Sequence, residues 1–123
     1  MPRRTPMPAP LRAAYTAEMD TARTPGPLPV RWRAAERAHI LSQPWPGPHT
    51  RTHAVMLRLA VHGGDLREVL GQLVRLAVAA PGSAAGRYPS GNTGRARVGL
   101  TTPMSIPADL AAQLRAAGIA LAP

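Results

Sequence analysis

The sequence predicts an all-α domain of two stacked antiparallel helical hairpins, with a C-terminal coil and a short helix packed over them. Three observations carry that reading. Four segments place apolar residues at helical spacing. Breaks rich in proline and glycine separate them. The first and third helices begin about 36 residues apart, as do the second and fourth, a spacing at which one helix pair stacks on the next.

Residues 1–10, MPRRTPMPAP, contain four prolines and read as a disordered leader. The first helix runs from about Leu11 to Arg23, where Leu11, Ala14, Tyr15, Glu18, Met19 and Ala22 share a face; Pro10 suits its start and TPGPLP its end. The second extends from about Val30 to Ser42, and PWPGP breaks the chain again. The third runs from about His49 to Val61, closed by Gly63-Gly64 in a left-handed cap. Asp65 is a suitable N-cap for the fourth, from about Leu66 to Ala80, with Pro81-Gly82 as its stop. In this helix Leu66, Val69, Leu70, Leu73, Ala77 and Ala80 form an apolar stripe expected in a common core with Leu59. Arg67, Glu68, Gly71, Gln72 and Arg75 are expected to face water. The four-helix core is thus 11–81. Residues 82–123 belong to the same domain: a coil with a GNTG turn, then a helix from about Ala108 to Ala117 whose Leu110, Leu114 and Ala117 offer a docking edge.

Composition narrows the function. The formal charge is +9, yet all fifteen basic residues are Arg and none is Lys, beside abundant Ala, Gly and Pro. That bias matches GC-rich coding as well as it matches selection for phosphate. The arginines are scattered and aromatics are scarce, so no specific nucleic-acid partner is expected. Without Cys there are no disulfides, thiolate metal sites or cysteine nucleophile. No apolar run is long enough to span a bilayer, and the N-terminus lacks the apolar segment of a secretory signal, so no membrane partner is expected and a cytoplasmic location is the default. With no Phe the core must be aliphatic and modest, and the oligomeric state is left open, a homodimer included.

The anomaly lies at 36–59. His49, His53 and Met56 share one face of the third helix, opposite Arg51, Arg58 and His62, so two histidines point inward. On the second helix Trp32, Glu36, His39 and Gln43 share a stripe, and a bend near Pro46 brings His39 toward His53. His39, His49, His53 and Glu36 are therefore the candidate metal ligands, for zinc, copper or nickel, with Glu36 either the fourth ligand or an acceptor behind a ligating histidine; Met56 would shift preference toward copper. One Glu-x-x-His pair without bridging glutamates argues against a di-iron centre. Such a site is expected to lose metal as pH falls below about 6.5. Ser42 lies near His39, but no nucleophile elbow surrounds it, so catalysis is disfavoured. SGNTG at 90–94, near Arg87 and Arg95, is read as a structural turn capped by Asn92 rather than an anion nest. Trp32 and Trp45 border the hairpin as shields or packing.

The blocks RAHILSQ at 37–43, PH…H…ML at 48–57, EVLGQLVRL at 68–76, GNTG at 91–94 and PMSIPADL at 103–110 resemble an uncharacterised family of small bacterial proteins. The resemblance implies a helical domain of unknown function, and neighbouring heavy-metal efflux genes in that family imply a metal-linked role. In architecture, not in consensus residues, the hairpins resemble tetratricopeptide repeats. The leading reading is a non-enzymatic accessory protein that binds a transition metal. The alternative is a tetratricopeptide-like adapter with structural buried histidines, its groove open to a protein partner.

Overall fold

The computed structural model describes residues 6–100 and 102–121. It is all-α: α1 (Ala9–Arg23), α2 (Leu28–Ser42), α3 (Pro46–Gly63), α4 (Leu66–Ala84) and α5 (Ala108–Ala116), with no strand among the described residues. α1 packs on α2 and α3 on α4, and α2 joins the two hairpins through α3. α5 lies against α1 and α2, so it covers one end of the stack.

α1 buries Leu11, Tyr15, Met19 and Ala22, as its periodicity requires. These meet Ala34, Ala35, Ala38 and Leu41 of α2, Val55, Met56 and Leu59 of α3, and Leu110 and Leu114 of α5. Arg37 of α2 ties the layers together at the surface, bonding Glu18 of α1 at 2.9 Å and also Asp109 of α5. Half of the residues read as leader, 1–5, lie outside the described set, and Ala9 and Pro10 open α1 instead of belonging to a disordered segment. Met7 is buried in the core, and its carbonyl accepts from Arg12.

Two helix boundaries differ from expectation by three residues or more, each for a backbone reason. α3 begins at Pro46, because N–H groups in a first turn have no intrahelical acceptor and prolines cost nothing there. α4 does not stop at Pro81 but runs on to Ala84. The ring removes only one donor, and Ser83 pins the last turn by donating to the Gln43 carbonyl at 2.5 Å.

The larger correction concerns which face of α4 is inside. Leu66, Leu70 and Leu73 do not join Leu59 in the core; they are 69%, 57% and 50% exposed. Glu68, Gln72, Arg75, Ala79 and Ser83 are buried instead. This polar face is pressed between α3 and the coil that follows α4. A coil carries backbone groups with no ladder or helix to pair them, and burying them unpaired costs about 1–3 kcal/mol each. The polar stripe supplies the partners: Gln72 Nε2 donates to the Gly94 carbonyl at 2.8 Å, Arg75 to Val98 at 2.8 Å, and Glu68 accepts from the Ala96 amide at 3.1 Å. Gly71 leaves room for the coil, since a Cβ there would meet Ala96 Cβ at 2.4 Å. A leucine stripe offers no such bonds.

This inversion is measurable by urea denaturation. Leu70→Gln is expected to change stability by no more than about 0.5 kcal/mol, as for a surface position. Leu59→Ala, at a core position 1% exposed, is expected to cost about 2–5 kcal/mol. Equal losses would place the α4 leucines back in the core.

Candidate metal centre

α2 delivers His39 from its last turns, and the short 43–45 connection folds α3 back so that His49 and His53, one helical turn apart, face it. The three Nε2 atoms form a nearly equilateral triangle: 3.0 Å from His49 to His39, 3.1 Å from His39 to His53, and 3.2 Å from His53 to His49. Nε2 atoms at these separations are close enough together to ligate one shared ion at the usual nitrogen–metal distance of about 2.0–2.1 Å.

Proton placement makes the triangle more than a close contact. His39 Nδ1 lies 2.6 Å from the Asn92 carbonyl, which can only accept. His53 Nδ1 lies 2.7 Å from Gln72 Oε1, whose amide nitrogen already donates to Glu68 and Gly94. His49 Nδ1 lies 2.6 Å from Ser83 Oγ, whose own proton goes to the Gln43 carbonyl. Each Nδ1 must therefore carry its ring's single proton. Three unprotonated Nε2 lone pairs then point at one another, with no hydrogen left to bridge them. A shared cation or an added proton would relieve that arrangement.

An added proton is disfavoured. Burial pushes His49 down to about 3, reinforced by His53 and opposed by the Ala79 carbonyl. Burial also pushes His53 down to about 4, against the Gln72 bond and with help from Arg75. His39 falls well below its ordinary value, first through burial and then through the other two rings. The folded protein holds all three neutral at physiological pH, the protonation state of a metal ligand.

His39, His49 and His53 come together as the sequence suggested; Glu36 does not join them. Its carboxylate pairs with Arg95 at 3.2 Å. Arg95 in turn bonds Glu68 at 2.5 Å, Glu68 holds Gln72 at 3.0 Å, and Gln72 holds His53. Glu36 thus stands at the far end of a polar relay. Met56 belongs to the apolar core. Trp32 lies 3.7 Å under the Arg95 guanidinium, and Trp45 belongs to the core cluster beside Met7 and Tyr15.

Sequence reasoning missed the groups that orient the imidazoles: Gln72, Ser83 and the Asn92 carbonyl. A signal existed in α4, where Glu68, Gln72, Arg75, Ala79 and Ser83 form a second stripe opposite the leucines. The GNTG turn is both structural and part of the site. Asn92 Oδ1 accepts from the Gly94 amide at 2.8 Å, and its Nδ2 donates to the Gly99 and Thr102 carbonyls. Gly94 takes φ +82°, and its missing Cβ is what admits the His39 ring.

All three imidazoles border a cavity of about 450 Å³, whose other walls include Arg75, Val78, Tyr88 and Leu100. Fold and site together define a small all-α protein with a buried three-histidine cluster. By comparison with known families, the chain belongs to the family described as protein of unknown function (DUF3703), which it matches over residues 9–114. No curated protein and no solved structure matches it. No helix among the described residues is long and apolar enough to cross a membrane.

Proposed function

We propose that the protein is a non-enzymatic accessory protein that binds a divalent transition metal ion through Nε2 of His39, His49 and His53. The observation that carries this reading is the convergence of three deprotonated Nε2 atoms within 3.2 Å while every Nδ1 is spent on an acceptor. Neutral imidazoles suit zinc, copper and nickel, and orienting partners on the second nitrogen are a recurrent feature of histidine metal sites.

Calorimetric titration of Zn²⁺, Cu²⁺ and Ni²⁺ is expected to show one site per chain with Kd tighter than about 10 μM for at least one ion. His53→Ala should weaken it at least about 100-fold, a loss of one of three ligands. His62→Ala should not, since His62 is exposed on the opposite side of α3. Absence of binding, or equal loss in both variants, would overturn the assignment. The adapter reading would then lead, favoured by the exposed leucine face of α4.

A further inference from the structure

The metal's remaining coordination position has its own chemistry. Three neutral imidazoles leave a divalent ion with its full charge, and tetrahedral sites with three protein ligands keep a position for an exogenous one. Arg75 stands beside the cluster and is 8% exposed. Its Nη1 and Nη2 donate only to the Gly71 and Val98 carbonyls, at 3.2 and 2.8 Å, and it forms no ion pair among the described residues. Nearby Glu68 is already matched by Arg95 at 2.5 Å. A buried cation whose neighbouring carboxylate is engaged elsewhere favours an anion, and a bound metal ion adds to that demand.

The cavity supplies the place. It touches all three histidines and Arg75, and Val78, Ala79, Leu100 and Pro103 give it apolar walls. Arg87, exposed, stands among its lining residues. At about 450 Å³ it is within the range of small-molecule sites, which pair a few polar anchors with an apolar body.

We propose that this cavity binds a small organic carboxylate, its head group completing the coordination of the metal held by His39, His49 and His53 and facing Arg75, its aliphatic body against Val78 and Leu100. The proposal rests on the metal-binding reading. It adds that the bound ion keeps an exchangeable position with a chemically defined occupant, so the metal is presented to a ligand and not merely stored.

The test uses the full chain loaded with Co²⁺, whose visible absorption reports coordination directly. Acetate and hexanoate are titrated into the loaded protein. Both are expected to change the spectrum saturably, hexanoate at least about 10-fold more tightly because its chain meets the apolar walls. Arg75→Gln should weaken hexanoate at least about 10-fold while one Co²⁺ per chain is retained, and Arg75→Lys should restore part of the affinity. Leu100→Trp, at a half-exposed wall position, should remove the preference for hexanoate over acetate while one Co²⁺ per chain is retained. If Co²⁺ binds and neither anion alters its spectrum, the carboxylate proposal is overturned while the metal site stands. Equal affinities for acetate and hexanoate overturn the role of the apolar walls. Failure to bind Co²⁺ together with all three titrated ions overturns both readings; if Co²⁺ alone fails, the same anions are titrated calorimetrically against whichever of Zn²⁺, Cu²⁺ or Ni²⁺ binds.

Discussion

Acidifying the metal-free protein from pH 6.5 to 4 is expected to remove several kcal/mol of folding free energy, more than any surface substitution would. In the unfolded chain each histidine takes a proton below about 6.5. In the folded protein His53 does so only near 4 and His49 only near 3, with His39 also displaced far downward by burial. Between those values the unfolded state holds more protons than the folded one. Stability therefore rises with pH across this window and is lost as pH falls through it. For His53 alone the loss is on the order of 3 kcal/mol. Urea denaturation of apo protein at pH 7.5, 6, 5 and 4 measures it, and His53→Gln should flatten the curve. Metal affinity should behave differently. The folded apo site is already neutral, so Kd should stay nearly constant from pH 7.5 to 5.5. That moves the loss expected near 6.5 to lower pH, because the expectation took the ordinary imidazole value for rings that burial pushes down. A steep decline in affinity beginning at 6.5, with stability unchanged, would contradict the buried, proton-free cluster.

Gly94→Ala is expected to cost about 2–5 kcal/mol and to weaken metal binding about 10–100-fold. Two penalties combine: about 1–2 kcal/mol for a side chain in the left-handed region and about 1–3 kcal/mol for overpacking. The second arises because a Cβ on Gly94 would lie 2.6 Å from His39 Cδ2 and 2.9 Å from its Nε2. The ring has to move, and its Nε2 leaves the triangle; disturbing groups that orient metal ligands typically has an effect of that size. Gly118→Ala separates the terms, since Gly118 also has φ +82° but nothing lies within 4 Å of its Cβ position. It should cost only about 1–2 kcal/mol and leave metal affinity unchanged. Paired urea denaturation and calorimetry on the two variants decide the matter. Equal effects on affinity would show that Gly94 does not gauge the His39 ring.

Helix periodicity in this chain reports which residues share a face, and α1 and α3 show how far that goes. Leu11, Tyr15, Met19 and Ala22 are buried together, and His49 and His53 point inward opposite exposed Arg51 and Arg58. The meeting of His39 with His53 was legible as well, because a short proline-rich bend leaves little freedom in how two helices return on each other. Periodicity says nothing about which of two faces meets a neighbour. In α4 the leucine stripe and the Glu68–Ser83 stripe are equally regular, and the choice between them came from residues 94–98, where the Gly94 and Val98 carbonyls and the Ala96 amide are paired by Gln72, Arg75 and Glu68. For the same reason Glu36 was misplaced. It shares a stripe with His39, but Arg95, brought in by the coil from 59 positions away, claims its carboxylate. Local spacing settled the elements and the identity of the histidines. Long-range hydrogen bonds, which no local pattern encodes, settled which way each imidazole faces and which nitrogen is left bare.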